Sequence, residues 1–314
     1  MSTQVWITGA RGFIGRHLSR WLAGKNCTVA GIGHGAWPEH ESRKWGVSVW
    51  INGDISASNL RQMQKITGVP KQIYHLAGGS SVGSAFVSPY EDFTRTVVST
   101  AALLEWMRQN APETTIVAVS SAAVYGAGHP GTIREDVQLS PFSPYGAHKL
   151  MMESLCRSYG GNFGLSVILP RLFSVYGEGL KKQLIWDLCG KFATGETVEL
   201  GGTGEELRDW TNVGDVVQAI ETISQFADDQ APVLNIATGQ GISVKVIASM
   251  VGECWGGAEA VSRISFSGNS RPGDPFSLVA DIGRMKALGL KCMTSVEHGV
   301  QEYVAWYRAA RGDT

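Results

Sequence analysis

The chain carries almost no net charge: 27 Lys and Arg stand against 28 Asp and Glu, a formal −1 over 314 residues. That balance removes the electrostatic case for a nucleic-acid or anionic-membrane partner. No apolar run approaches the roughly 20 residues needed to cross a bilayer. Nor does a basic segment followed by a long apolar one precede the first strand-like stretch, so a cytoplasmic protein without a secretory leader is expected. Cysteine is sparse and scattered. Cys27, Cys156, Cys189, Cys254 and Cys292 lack metal-ligand spacing and are expected as reduced, structural thiols, with no metal bound. Internal repeats, low-complexity tracts and long linkers are missing as well. What remains, 43% hydrophobic and 18% charged, is enough apolar material for one large core or a two-lobed one.

The most informative segment is Thr8-Gly9-Ala10-Arg11-Gly12-Phe13-Ile14-Gly15. It follows a short apolar run (Val5, Trp6, Ile7) and opens an amphipathic stretch through Leu18, Trp21 and Leu22. Strand, tight glycine turn and helix in that order place a helix N-terminus against a pyrophosphate. Gly9 permits the turn, Gly12 a close backbone approach, and Gly15 close packing of helix on strand.

Apolar strands and helical patterns then alternate through the first half. Strands are expected at about Gln4–Thr8, Thr28–Ile32, Val47–Trp50, Gln72–Leu76, Thr115–Ser120 and Ser166–Leu169, with helices around Tyr90–Gln109 and Tyr145–Tyr159. This alternation predicts an α/β protein: a Rossmann-type doubly wound parallel sheet with ligands at the C-terminal strand ends. After Arg171 the elements shorten, predicting a smaller C-terminal α/β substrate-binding lobe. Residues 1–171 are assigned to the dinucleotide-binding domain and 172–314 mainly to the second lobe, with about 210–240 returning to the first.

Tyr145 and Lys149 lie four apart in a helical stretch and so project from one face. A tyrosine near pKa 10 is a poor acid–base group at neutral pH, but a nearby ammonium favours the phenolate. Ser121 follows the strand Thr115–Ser120, where its hydroxyl can polarise a carbonyl or alcohol oxygen and relay a proton to Tyr145.

Taken together, the motifs resemble the extended short-chain dehydrogenase/reductases, in the branch acting on nucleotide-linked sugars. The matching pieces are the glycine turn, Gly53-Asp54-Ile55, His75-Leu76-Ala77-Gly78, Ser120-Ser121-Ala122-Ala123-Val124-Tyr125-Gly126 and Ser143-Pro144-Tyr145-Gly146-Ala147-His148-Lys149. Val175-Tyr176-Gly177, Arg208-Asp209-Trp210 and Arg271-Pro272-Gly273-Asp274 follow later. The resemblance implies a Ser121–Tyr145–Lys149 triad, with Tyr145 the general acid/base and Lys149 also holding the nicotinamide ribose. It places Asp54 and Ile55 beside the adenine, and Leu76, Ala77 and Gly78 near the cofactor. Ser81, Ser121, Ser174, Arg208 and Arg271 are the substrate candidates, the two arginines for the sugar-nucleotide diphosphate. The helices around Tyr90–Gln109 and Tyr145–Tyr159 are expected to pair two copies into a four-helix bundle. Departures narrow the chemistry. Family dehydratases carry an Asp-Glu pair after the catalytic hydroxyl residue, where this chain has Ala122 and Ala123. Ser174 and Thr96 stand where asparagines are common.

An NAD enzyme ordinarily ends its second strand with a carboxylate on the adenosine ribose. Here that position is Gly33, followed by His34, and Arg11 is placed to meet a 2′-phosphate. NADP(H) is therefore expected, with NAD as the alternative. The reaction expected is NADPH-dependent reduction of the 4-keto group of a nucleotide-linked 6-deoxyhexose, as in surface-polysaccharide biosynthesis. The alternative is an NAD-dependent 4-epimerase of the UDP-glucose type. Two remoter readings are an α/β-hydrolase built on Gly79-Ser80-Ser81-Val82-Gly83 and a non-catalytic dinucleotide sensor. His75 is read as a hydrogen-bonded core residue.

Overall fold

A computed structural model describes residues 2–269 and 275–312. They fall into two compact units. The first comprises residues 1–126, 138–172 and 217–235, and the second residues 127–137, 173–216 and 236–314. The segment 127–137 thus groups with the second unit, where the sequence pattern kept it in the first. Its strand Thr132–Ile133 pairs with Ser277–Ala280, a partner far along the chain that no local pattern announces.

The first unit is built on a parallel sheet. β1 (Thr3–Thr8), β2 (Cys27–Gly33), β3 (Val47–Asn52), β4 (Gln72–His75) and β5 (Thr115–Ala118) are joined by strands Val167–Leu172 and Val233–Ile236. From one edge the order runs β3, β2, β1, β4, β5, then 167–172 and 233–236. β1 pairs with β2 from Thr3↔Cys27 to Thr8↔Ile32 and with β4 from Val5↔Gln72 to Thr8↔His75. The chain winds outward from β1 to β3 and then returns to lay β4 on the other side of β1. The gap between the C-terminal ends of β1 and β4 is the switch point where such sheets bind ligands. Strands covered on both faces read as unbroken apolar runs: Val5, Trp6, Ile7, Val29, Ala30 and Ile32 are all buried. Trp6 stacks on Trp106 with ring centroids 4.9 Å apart and donates its indole N–H to Thr67 Oγ1. Helix α1 (Phe13–Gly24) buries Gly15, Leu18, Ser19 and Leu22 along one face. Each buried leucine contributes about 1.5–3 kcal/mol.

Three elements depart from the sequence expectation. The strand expected at Thr115–Ser120 breaks at Val119; Ser120–Ser121 then pairs with Arg171–Leu172. The helix expected from Tyr90 is assembled from Val82–Val87, Pro89–Phe93, a π-helical turn Thr94–Val98 and the helix Ser99–Asn110. Pro89 opens its segment after Ser88. Around the π turn, the hydroxyls of Thr94, Ser99 and Thr100 donate to carbonyls four residues back, a competition that distorts helices. The last strand, Val233–Ile236, was not singled out in the sequence.

In the second unit, strand Leu207–Asn212 pairs with Gly241–Ser243, Ser277–Ala280 and Ser174–Tyr176. A two-stranded sheet joins Val198–Leu200 to Ile264–Phe266. Helices Gln183–Thr194, Val244–Ser262 and Val296–Arg311 complete it. Asp209 is fully buried and accepts bonds from the backbone N–H groups of Thr238, Gly239 and Ala280 and from the Thr238 hydroxyl. Among the described residues no helix is long and apolar enough to cross a membrane, and no cluster of side chains is suited to holding a metal ion.

Candidate active site

The glycine turn leaves β1 as the sequence requires. Gly9 has φ +72°, and its N–H donates to Ile32 O at 2.7 Å. A Cβ on Gly9 would press on the Ala77 backbone nitrogen at 3.0 Å, and one on Gly15 would run into the Gly9 carbonyl. Gly12 caps α1 with no side chain on the helix end. The amides of Phe13, Ile14 and Gly15 therefore belong to a first turn with no intrahelical acceptor, which favours an anion. Arg11 lies across Gly35, close enough that a Cβ there would overlap its guanidinium.

At the end of β2, Gly33 O accepts from Gly53 N–H at 2.9 Å. His34 pairs with Asp54 at 3.1 Å, and Asn59 Nδ2 donates to the Asp54 carbonyl. Ile55 is buried beside them. Arg16, one turn into α1, sits 5.7 Å from the Trp37 ring and 5.8 Å from that of Trp45. Its Nε is buried without a hydrogen-bond partner. Burial, and then the neighbouring charge of Arg11, lower the Arg16 pKa from its usual value.

The end of β4 is dry and fully bonded. The Thr100 hydroxyl donates to Thr96 O at 2.6 Å, so its oxygen must accept from His75 Nε2–H at 2.8 Å. His75 Nδ1 then accepts from the Thr8 hydroxyl at 2.7 Å, whose oxygen takes the amides of Leu76 and Ala77. The network assigns this tautomer. Burial, seconded by Lys149, pushes the His75 pKa down to about 3. His75 is a neutral brace under the Leu76-Ala77-Gly78 turn.

The helix Pro144–Phe163 begins with Ser143 accepting from Gly146 N–H at 3.1 Å and Pro144 in the first position. Gly146 has no room for a Cβ, which would collide with the Ala123 carbonyl. That close approach brings the turn Ala122–Val124, with Ser121 at its head, against Tyr145. The Ser121 hydroxyl stands near that of Tyr145 and favours its ionised form, and Ser121 Oγ accepts from Ala123 N–H at 3.2 Å. Lys149 is buried, and its Nζ donates to Val119 O at 2.8 Å. It also lies 3.4 Å from where a Cβ on Gly78 would stand. The structure therefore gathers Ser121, Tyr145 and Lys149 with the Gly78 turn. One expectation is corrected. The Tyr145 pKa is raised above the usual value: burial dominates, the Ser121 hydroxyl opposes it, and the charge of Asp92 adds to it. Lys149 itself is pushed down to about 8 by burial, against the charges of Asp92, Glu153 and Cys156.

Two buried pairs around the cluster have no counterpart in the sequence motifs. Glu153, one helical turn beyond Lys149, accepts from Ser120 Oγ at 2.6 Å and from Arg171 Nε and Nη2 at 2.8 and 2.7 Å. An arginine within the apolar strand Val167–Leu172 was the available sign. Asp92 pairs with His148 Nδ1 at 2.6 Å. Ser81 caps the helix Val82–Val87, its Oγ accepting from Ser84 N–H. Five residues separate it from the end of β4 at His75, so the sharp strand-to-helix elbow of a hydrolase is not formed. Ser174 and Arg208 lie in paired strands of the second unit, and Arg208 Nη1 donates to Leu207 O at 2.8 Å. Arg271 lies outside the described residues.

The model of the NAD dependent epimerase/dehydratase family matches residues 5–237. An uncharacterized UDP-glucose epimerase of Bacillus subtilis, YtcB, is 28% identical over 96% of this chain and 97% of its own. A putative UDP-glucose 4-epimerase of Methanocaldococcus jannaschii is 25% identical, covering 97% and 98%. Among solved structures, MoeE5 in complex with UDP-glucuronic acid and NAD is 32% identical, with TM-score 0.85 over 98% of this chain and 99% of that one.

Proposed function

The chain belongs to the NAD dependent epimerase/dehydratase family, and from that premise we propose that it is a nucleotide-sugar 4-epimerase acting on a UDP-hexose. The observation that carries this reading is the cluster of Ser121, Tyr145 and buried Lys149, with Ala122 and Ala123 directly after Ser121. Such a site equips one carbinol carbon for proton and hydride transfer and lacks the acid and base of water elimination. The names of the two sequence relatives, and the UDP-sugar and NAD held by the structural one, support the substrate class.

The residues fit a dinucleotide. Gly9 and Gly15 let the turn pack directly on the Ala77 backbone and on α1, with no room for a Cβ, and the α1 N-terminus presents amides that no side chain caps. When bound, the nicotinamide supplies the hydride acceptor and donor. Tyr145 takes the proton of the C4 hydroxyl and later returns it, Ser121 holds the oxygen as it becomes a ketone, and Lys149 holds the ribose. Between the two transfers the 4-keto sugar must present its other face. No net proton or electron is consumed. Arg208 and Arg271 belong to this proposal as diphosphate ligands. So does a cytoplasmic homodimer, to which the exposed Tyr90, Val98, Met151 and Phe163 would contribute apolar surface.

A second reading, reduction of a 4-keto sugar by NADPH, is favoured by one feature: Gly33 where a carboxylate would stand, with Arg11 and Arg16 close together beside it. Two assays separate the readings. Purified protein given UDP-glucose and catalytic NAD should form UDP-galactose. If it forms none, yet oxidises NADPH stoichiometrically with a dehydratase-generated 4-keto-6-deoxy sugar, the epimerase reading fails and the reductase stands.

A further inference from the structure

Asp92 occupies an unusual place for a carboxylate. Its side chain is 4% exposed, His148 Nδ1 meets Oδ2 at 2.6 Å, and Oδ1 rests where a Cβ on residue 79 would collide with it. Gly79 in turn donates its N–H to Thr96 Oγ1 at 2.8 Å. The adjoining Gly78 fills the space between Thr96 and the Lys149 ammonium, 3.3 and 3.4 Å from its Cβ position. His148 is the residue before Lys149 and three after Tyr145, so the clamp on Asp92 belongs to the helix that carries both.

We propose that Asp92 is a positioning residue for the Tyr145–Lys149 couple, a buried carboxylate clamped by His148 that seats the Gly78-Gly79 turn against their helix and sets a fixed negative charge beside them. The inference rests on the reading of Tyr145 and Lys149 as the proton-handling pair. Burial works to strip Lys149 of its proton, and Asp92 is the foremost group opposing that, ahead of Glu153 and Cys156. His75, a further titratable neighbour beside His148 on Asp92, is neutral and adds no charge. Tyr145 faces Ser121 and the same Asp92, whose charge disfavours the phenolate.

The test is a spectrophotometric titration of phenolate absorbance in the protein alone, reading Tyr145 as the component that Tyr145→Phe removes. In Asp92→Asn that component should titrate about one pH unit lower, the scale of a single charge lost in partly screened surroundings. Lys149, at about 8, is already deprotonated in that range and does not blur the signal. Asp92→Ser, small enough to sit beside Gly79, is the second variant should Asn not be accommodated. With UDP-glucose as substrate, the acid limb of kcat/KM, which reports the proton-accepting group, should also move to lower pH in both variants. Asp92→Glu, which keeps the charge, should leave the Tyr145 titration in place; an equal downward shift there, or an unmoved titration in Asp92→Asn, overturns the proposal, since loosened packing would also admit water and lower the Tyr145 pKa. The titration needs no turnover, so it decides the role of Asp92 even if the epimerase assay fails.

Discussion

At the end of β2, His34 and Asp54 pair at 3.1 Å with both side chains more than half exposed, whereas Glu153 and Arg171 pair at 2.7 Å with 0% and 1% exposure. Exposed pairs contribute about 0–1 kcal/mol. Breaking a buried pair leaves an uncompensated charge and costs about 3–5 kcal/mol. The β2 end is thus a place where charge can change at small cost to folding. The ground around Tyr145 and Lys149 is held by buried groups whose single replacement strips a neighbour of its charged partner. On the proposed reading, cofactor choice and chemistry fall in regions of different rigidity within one unit.

That contrast can be broken in four ways, the largest effect first. Tyr145→Phe keeps the ring and removes the proton, so epimerisation of UDP-glucose should fall by about two to four orders of magnitude. NAD affinity by calorimetry should stay nearly unchanged. Next, Arg171→Met should lower unfolding stability by about 3 kcal/mol in urea titrations, because buried Glu153 keeps only the part-exposed guanidinium of Arg157 at 3.0 Å. Adding Glu153→Gln to it should recover part of that loss; if the single variant is as stable as wild type, the pair does not stiffen this region.

The third concerns acid. The folded pKa of His75 is depressed to about 3 from 6.5. Its preference for the neutral form contributes stability in full above about pH 6.5, and that contribution fades as pH falls towards 3. The slope is about 1.4 kcal/mol per pH unit for one proton. Denaturation from pH 7 to 4 should be shallower in His75→Gln, and an unaltered slope would show that His75 does not carry this acid sensitivity. The smallest effect lies at the β2 end. Arg11→Ala should weaken NADPH binding about tenfold, roughly 1.4 kcal/mol, and leave NADH binding unchanged. Equal affinities for the two cofactors in the unaltered protein would remove the 2′-phosphate from the account.

The local patterns in the chain were enough for the parallel sheet, the glycine turn and the Tyr145–Lys149 spacing, because each is written in a few consecutive residues. What escaped them joins distant positions. Asp92 meets His148 across 56 residues, Ser120 meets Glu153 across 33, and Thr132–Ile133 finds its strand partner nearly 150 residues later. The π turn at Thr94–Val98 depends on three hydroxyls competing for helix carbonyls, which a count of apolar positions passes over. The pKa of Tyr145 departs from expectation for a related reason. Spacing shows which charge is near, but the balance is decided by how much water is excluded.

The step in the sheet at Val119 has a further meaning. The carbonyl that Lys149 grips there belongs to the main chain, exposed to it because the strand has shifted from one partner to the next. An anchor of this kind is beyond the reach of ordinary substitution, since every amino acid at position 119 brings the same oxygen. Drift can rewrite the neighbouring side chains while the lysine keeps its mooring. Only changing the atoms of the peptide link itself, as an ester in place of the amide between 119 and 120 would do, touches it directly.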